Sequence, residues 1–110
     1  MVEFVTGFVT VPNMDTGRDI AAFLLDNRLA ACVNIIPALE SHYWWEGKLE
    51  RNEESLLVIK TVRQLISEVI ESVGKMHPYS VPEIIFLPLL DGNRDYLDWI
   101  LESVKTSAGI

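Results

Sequence analysis

The sequence predicts an α+β domain of the ferredoxin-like class, a split βαβ arrangement with one antiparallel sheet. Its 110 residues are 49% hydrophobic and 23% charged, which is typical of a single folded domain over residues 1–110. Strand-like and helix-like periodicities alternate in the order βαββαβ, followed by one more helix. Connection rules then insert the third strand between the first two, so that strands two and four form the edges and both helices cover one face.

The first two elements are a strand and a helix. Residues Glu3 to Val11 alternate in character, as in a strand that is covered on at least one face, and Pro12 ends it. Thr16, with Asp19 three residues later, resembles a capping pair at the start of the first helix. Its apolar positions recur at helical spacing up to about residue 28: Ile20, Phe23 and Leu24.

A long hairpin follows, from Cys32 to Thr61. Its first strand is predicted from Cys32 to about Trp45, and Pro37 within it indicates an edge position or a bulge. Glu46-Gly47 forms a two-residue turn, and the return strand runs from Lys48 to Lys60. Two strands of this length reach roughly 40 Å, whereas a domain of this size has a radius of gyration near ~13 Å. The hairpin is therefore expected to extend beyond the core.

The turn also fixes a register for the hairpin. In the simplest register Trp45 faces Lys48 and Trp44 faces Leu49. Continuing it would place Glu40 opposite Glu53, a like-charge pair that costs stability. We therefore expect a bulge near Pro37 to shift this pairing.

The second helix is predicted to begin at a capping box of Thr61 and Gln64 and to end at Gly74. Its apolar stripe is Leu65, Ile66, Val69, Ile70 and Val73. After a loop rich in proline, a fourth strand from Glu83 to Leu87 has flanking prolines that favour an edge.

Asn93 is predicted to cap the last helix. The buried face of that helix is predicted as Tyr96, Trp99, Ile100 and Val104.

Composition excludes several classes of partner. The net charge of −7 and the pI of about 4.7 oppose binding to nucleic acid or to an anionic membrane. No apolar stretch approaches the roughly 18 residues of a spanning helix, and the N-terminus lacks a signal-peptide pattern. One cysteine, Cys32, excludes an internal disulfide framework and suits a reducing compartment, so we expect a cytoplasmic protein.

Aromatic residues lie on both faces of the hairpin tip. Alternation puts Tyr43 and Trp45 on one face and His42 and Trp44 on the other. Exposed aromatic surface joined to an open sheet edge indicates a specific protein contact, and symmetric self-association is the usual form of it. We therefore expect a homo-oligomer with Trp44 and Trp45 in or beside the subunit interface.

Three ordered motifs resemble the CutA family, the divalent-cation tolerance proteins. They are LAACVNIIPALESHYWWEGKLE, HPYSVPEIIFLP and DYLDWI, and the similarity runs from about Val5 to Ile100. The resemblance implies a ferredoxin-like fold, a homotrimer built through the long hairpins, and a link to copper and other divalent metals. No catalytic activity follows from it. Copper or another divalent metal is the expected ligand, and we expect no metal to be required for folding.

The resemblance also implies a set of metal ligands. Cys32 matches the cysteine of the family's LAAC motif, and His77 matches the histidine of its HPY motif. Members with a proposed copper site place a further cysteine and histidine where this chain has Val9 and Met76. The candidate metal ligands are thus His77, Met76 and Cys32, with altered or weaker copper binding expected. The alternatives are a histidine hydrogen-bonded in a turn and a cysteine buried as a small apolar residue.

The sequence gives less support to a calcium site or a catalytic site. Asp91, Asn93, Asp95 and Glu102 match positions of a calcium loop, but Tyr96 stands where that loop requires glycine. No third group orients a thiol-imidazole pair, and no phosphate-binding loop is present. The resemblance therefore implies a non-enzymatic, metal-binding homotrimer for copper tolerance. The alternative is a trimeric small-molecule-sensing or scaffolding module that resembles PII signalling proteins in fold.

Overall fold

The computed structural model describes residues 2–105, which form one four-stranded sheet and three helices. The elements are β1 (Phe4–Val11), α1 (Met14–Asp26), β2 (Cys32–Trp45), β3 (Lys48–Val62), α2 (Ile66–Met76), β4 (Ile84–Pro88) and α3 (Arg94–Ser103). A 3-10 turn at Arg63–Leu65 leads into α2. Within residues 2–105, no helix has both the length and the apolar character needed to cross a bilayer.

The sheet has the strand order β2-β3-β1-β4, and every neighbouring pair is antiparallel. This confirms the ferredoxin-like arrangement, with β3 inserted beside β1 and with β2 and β4 at the edges. The strand order follows from the two crossovers through helices, which must return to the same sheet.

The core lies between the sheet and the helices. Alternate residues of β1 face it, and Val9 and Val11 are fully buried there. Strand β3 adds Leu57 and Ile59. The helices and the turn before α2 contribute further large buried side chains, among them Ile20, Leu24, Leu65, Val69, Val73 and Ile100. The opposite face of β1, with Phe4, Thr6, Phe8 and Thr10, is only partly covered by the chain itself. No helix of the described chain covers this face of the sheet, which is called the helix-free face below.

Two predicted helix starts are wrong. Helix α1 begins at Met14, because the Asn13 side chain accepts a hydrogen bond from the Thr16 amide at 2.8 Å and so supplies the cap. Thr61 belongs to β3, and its buried hydroxyl donates to the Leu29 carbonyl at 2.7 Å. A tertiary partner thus takes the hydroxyl that sequence spacing had assigned to a cap.

Helix α2 also continues two residues beyond Gly74, to Met76. A side chain at Gly74 would meet no atom within 4 Å, so this glycine is simply an exposed helical position. The helix ends where His77 becomes extended, as the residue before Pro78 is biased to be.

The buried face of α3 differs from the prediction. Asn93 does cap the helix, accepting from the Asp95 amide at 3.0 Å. However, Leu97, Ile100 and Val104 face the core, while Tyr96 and Trp99 remain more than 40% exposed. Their rings lie 5.5 Å apart on the outer surface. The predicted face was rotated because aromatic residues were assumed to be buried.

The hairpin register is as predicted at its tip. Trp45 pairs with Lys48 and Trp44 with Leu49, and both Glu46 and Gly47 have positive φ. That combination is what a two-residue turn of type I′ requires.

A bulge is present, but it does not relieve the acidic pair. The register shifts between Ile36 and Leu39, where Ala38 has a φ of 62°. Glu40 still lies opposite Glu53, so the expectation of a shifted pair is wrong. The bulge lies on the core side of this pair, and the His42 ring instead contacts Glu40 through Nε2 and Oε2 at 2.6 Å.

The hairpin extends beyond the core as predicted. Strand β1 accompanies β3 only as far as Ser55, so residues 39–54, here called the arm, form a two-stranded ribbon. The described chain measures 44 × 26 × 24 Å, with a radius of gyration of 14.6 Å. The arm accounts for this elongation, since the remaining elements form two compact layers, the sheet and the helices that cover it.

Candidate functional site

His77 lies at the end of α2 and is buried, with 7% of its surface exposed. Its Nε2 lies 2.7 Å from the Thr10 carbonyl oxygen, and its Nδ1 accepts from the Tyr79 amide at 3.2 Å. A carbonyl only accepts, so Nε2 carries the proton and the ring is the neutral tautomer. Both ring nitrogens are thus engaged in holding the loop after α2 against β1.

Tyr79 extends this hydrogen-bonded chain to the arm. Its ring lies 4.7 Å from that of His77, and its hydroxyl donates to Oε2 of Glu54 at 2.7 Å. Glu54 is buried at the base of the arm, with 7% exposed. Burial raises the pKa of the Tyr79 phenol, and the hydrogen bond and charge of Glu54 raise that pKa further. The phenol therefore remains a donor at any physiological pH.

A groove of about 680 Å³ lies between the arm and the loop after α2. Its aromatic walls are Tyr43, Trp44, Trp45 and Tyr79. Its carboxylates are Glu54 and Glu83, and neither lysine nor arginine occurs in its described lining. Hydroxyl groups of Thr10, Ser41 and Ser80 add polar contacts. The arrangement combines aromatic faces with negative charge in one concave surface, which is typical of ligand sites.

Cys32 lies at another end of the sheet. It pairs with Lys60, which pairs with Thr6 of β1, whereas His77 contacts Thr10. Four residues along a strand span about 13 Å. The Cys32 thiol lies beside the α3 aromatic surface, where burial raises the pKa of Tyr96 and the neighbouring thiol raises it further. Within one chain, Cys32 and His77 are not brought together.

Val9 and Met76, which replace two ligands of the family's proposed copper site, also lie apart from each other. Val9 is fully buried on the helix-covered face of β1, and Met76 is 36% exposed at the end of α2. Met76 adjoins His77 in sequence, so of the three predicted ligands only these two lie side by side. Within residues 2–105, no group of three or more His, Cys, Asp or Glu side chains is arranged to hold a metal ion.

Two of the residues that match a calcium-binding loop, Asp91 and Asn93, have structural roles instead. Asp91 accepts from the Gly92 amide at 2.8 Å, and Asn93 caps α3. Residues from Arg94 onward are helical, which is incompatible with a calcium loop.

Sequence reasoning missed Glu54 and Tyr79 as site residues. Both lie in segments that the sequence marked only as strand and loop. One available signal was Glu54 itself, because it carries a charge and yet lies just before the apolar run from Leu56 to Ile59. Its partner could not be inferred, since 25 residues separate it from Tyr79 along the chain.

Comparison with known proteins places this fold in a family. Residues 5–103 match the family model described as CutA1 divalent ion tolerance protein. Protein CutA 1, chloroplastic, from Oryza sativa is 45% identical over 96% of this chain. The divalent-cation tolerance protein CutA of Thermus thermophilus is 47% identical over 86% of this chain and 92% of its own length. The chain spans only 60% of the rice relative and 57% of the Arabidopsis thaliana relative.

Solved structures agree with the sequence relatives. The crystal structure of CutA1 from Oryza sativa superposes with a TM-score of 0.94 at 45% identity, covering 96% of this chain and 97% of that one. The Thermus thermophilus protein gives a TM-score of 0.88 at 46% identity, covering 96% and 100%. Family model, sequence relatives and structures all match nearly the whole described chain, and the protein therefore belongs to the CutA1 family of divalent-ion tolerance proteins.

Proposed function

We propose that this protein acts in tolerance of divalent cations, copper among them, as a non-enzymatic homotrimer in the cytoplasm. Membership of the CutA1 family supports the tolerance role. A single cysteine supports a reducing compartment. The observation that carries the assembly is the uncovered surface formed by the arm and the helix-free face of the sheet.

The helix-free face carries an apolar patch. Cross-strand pairing puts Phe8, Val58 and Ile85 side by side. Leu87 lies on the same face of β4 as Ile85, two residues further along. Ile85 and Leu87 are each 51% exposed, although they are large aliphatic residues. A contiguous apolar patch of this kind on a sheet favours contact with another protein surface, and a second copy supplies a matching one.

The arm adds to this surface. Trp44 is 71% exposed and Trp45 is 43% exposed, and both lie on strand β2 at an open edge of the sheet. An open edge offers unpaired amides and carbonyls that a neighbouring strand can satisfy. Self-association through the arms would cover the edge and the aromatic residues together.

Native mass spectrometry tests the assembly and reports retained metal in the same measurement. We expect a trimer of the 12.5 kDa chain. Ile85→Asp should dissociate it, because a charge would then be buried in the interface, whereas Asp19→Asn on the exposed side of α1 should leave it intact. A stable monomer of the unmodified chain at micromolar concentration would disprove the proposal of a trimer.

For copper, the residues of one chain do not form a complete site. Met76 and His77 are the candidate donors, but both nitrogens of His77 are already hydrogen-bonded. Binding a metal there requires the ring to give up one of these bonds, which costs about 1–3 kcal/mol for a buried group. We therefore expect weak binding.

Titration with Cu and Zn tests the metal role. Met76→Leu removes the thioether with little change in shape, and His77→Ala removes the imidazole, with His42→Ala as the control histidine. A site at the end of α2 is supported if metal binding weakens in Met76→Leu and His77→Ala but not in His42→Ala. Unchanged, negligible binding in all proteins would remove the metal role from this chain.

A second candidate function is small-molecule sensing or scaffolding, by fold-level analogy with PII signalling proteins. The groove between the arm and the Tyr79 loop favours it, because its volume of about 680 Å³ suits a small ligand. A thermal shift produced by members of a metabolite panel, without a response to Cu or Zn, would support this function. A response to metals alone would contradict it.

A further inference from the structure

We propose that the arm of a neighbouring copy fills the groove between the arm and the Tyr79 loop, and that the neighbour's Arg51 pairs there with the buried carboxylate of Glu54. The proposal rests on the proposed homotrimer and names the contact that closes it. It leaves no open groove for a small ligand and so excludes that site for the second candidate function. Three observations carry it: an arm with two apolar faces, a basic side chain without a partner, and a buried carboxylate without a cation.

The arm presents apolar surface on both of its faces. Strand alternation puts Trp45 and Glu54 on the groove side, which continues the helix-free face, and puts Trp44 and Leu49 on the opposite side, here called the outer face. Trp44 and Leu49 are cross-strand partners near the tip and are 71% and 69% exposed. Arg51 lies two residues after Leu49 on the same strand and therefore on the outer face as well. An exposed apolar pair with an adjacent cation thus occupies this end of the outer face.

Arg51 has no partner of its own chain within residues 2–105. Every lysine and arginine other than Lys48 and Arg51 forms an ion pair or a side-chain hydrogen bond with another described residue. Arg51 also points away from Glu54 of the same chain, because three residues separate them on β3 and alternation places them on opposite faces. Lys48, by contrast, lies on the groove side, opposite Trp45. The guanidinium of Arg51 is therefore available to a carboxylate of another copy.

Glu54 is a buried carboxylate that no cation of its own chain neutralises. It is 7% exposed at the base of the groove, and its Oε2 accepts from the neutral hydroxyl of Tyr79. His42 also lines the groove, but its Nε2 contacts Glu40, which lies on the outer face of the arm. Glu83 adds a second carboxylate to the lining. A buried charge of this kind favours a cation with matching geometry, and arginine binds a carboxylate through two parallel hydrogen bonds.

The side chains on the two surfaces are complementary. Trp44 and Arg51 are of the residue types that contribute most to interface energies. The groove offers the rings of Trp45 and Tyr79, against which an aromatic side chain or a guanidinium can stack. Its carboxylate supplies the charge opposite to that of the guanidinium. One contact therefore covers the apolar pair, the cation and the buried carboxylate together.

The difference between the two faces of the arm favours a ring of copies. A contact between the groove side of one arm and the outer face of the next is heterologous, and heterologous contacts close into rings when the rotation permits. Every arm in such a ring is covered on both faces. A two-fold dimer repeats a single patch and would leave the other aromatic face exposed. The groove also includes Thr10 of the helix-free face, so the neighbour that fills the groove is in position to cover that face too.

A double-mutant cycle on the assembled protein tests the ion pair. Arg51→Gln removes the cation, and Glu54→Gln removes the negative charge while keeping an acceptor for the Tyr79 hydroxyl. Analytical ultracentrifugation over a dilution series measures the concentration at which the trimer dissociates. We expect each single substitution to raise that concentration by about tenfold, and the double variant to raise it no further than the more severe single variant, because the two charges act as one pair. Arg18→Gln, which removes the same charge from the exposed surface of α1, should leave it unchanged.

A charge swap supplies a second test that leaves the bond between Tyr79 and Glu54 intact. Arg51→Glu and Glu83→Arg should each weaken the trimer, and the chain that carries both substitutions should recover at least part of the loss. Circular dichroism of each variant establishes that the chain is folded.

Non-additive effects in the cycle together with recovery in the swap support the proposal. A trimer that is unaffected by Arg51→Gln, or in which the effects of Arg51→Gln and Glu54→Gln simply add, would overturn this contact and leave the homotrimer standing. A stable monomer of the unmodified chain would overturn both the contact and the assembly on which it rests. A small ligand that binds the intact trimer and loses affinity in Glu83→Gln would show an open groove and overturn the proposal.

Discussion

The Nε2 of His77 donates a hydrogen bond to the backbone carbonyl of Thr10 at 2.7 Å, which connects the end of α2 to the end of β1. The other nitrogen of the ring accepts from the Tyr79 amide, so one side chain connects β1 to the loop that carries Tyr79, and both Thr10 and Tyr79 line the groove. The histidine that family resemblance singles out as a metal ligand thus has a structural role in the folded chain.

His77→Ala should lower the free energy of unfolding by about 1–3 kcal/mol, because it leaves the partly buried Thr10 carbonyl and Tyr79 amide without these partners. His42→Ala, on the exposed arm, should change it by no more than about 0.5 kcal/mol. Urea denaturation followed by circular dichroism measures both. Equal, small effects of the two substitutions would contradict the structural role of His77.

Tyr79→Phe removes the donor to Glu54 and should destabilise the fold by about 1–3 kcal/mol near neutral pH. The folded state raises the pKa of this phenol, so it retains its proton where the unfolded chain loses it, above a pH of about 10. The contribution of Tyr79 is therefore complete below about pH 10 and decreases as the pH rises beyond it.

Denaturation of both proteins from about pH 8 to pH 11 measures this loss. The stability difference between the unmodified chain and Tyr79→Phe should narrow above about pH 10. Tyr96, whose pKa is also raised, is present in both proteins and cancels in the comparison. A difference that stays constant over this range would show that the Tyr79 phenol is not perturbed.

Glu46→Asn should stabilise the arm. Glu46 has a φ of 50°, a left-handed conformation that asparagine adopts more readily than glutamate, and Asn-Gly is the preferred pair for this turn. We expect a gain of about 0.5–1 kcal/mol. Gly47→Ala, at a φ of 80°, should have the opposite sign in the same thermal unfolding experiment.

Gly7→Ala should destabilise the protein, because a methyl group at this position would lie 2.5 Å from Cε1 of Phe86 on β4. Overpacking of this kind typically costs about 1–3 kcal/mol. Gly74→Ala is the matched control, since a methyl group there meets no atom within 4 Å and should stabilise α2 by about 0.5–1 kcal/mol. Calorimetric melting temperatures should therefore move in opposite directions for the two substitutions.

Predictions at helix ends and faces show where local patterns stop being sufficient. Asn93 capped α3 as predicted, because its acceptor and the Asp95 amide are two residues apart. Thr61 did not cap α2, because the Leu29 carbonyl, 32 residues away in sequence, takes its hydroxyl. The aromatic residues of α3 were expected inside, yet smaller aliphatic side chains fill the available space and leave Tyr96 and Trp99 outside.

The sequence alone determined the strand and helix order, the long hairpin with its Glu46-Gly47 turn, and the strands that form the sheet edges. Alternation, glycine and proline act over a few residues, so these features can be predicted without knowing which distant segments pack against them. Tertiary structure decided that His77, Tyr79 and Glu54 form one hydrogen-bonded chain, and that Cys32 lies apart from them. Those relationships depend on how distant segments pack, because each bond joins groups whose separation is set by the completed sheet.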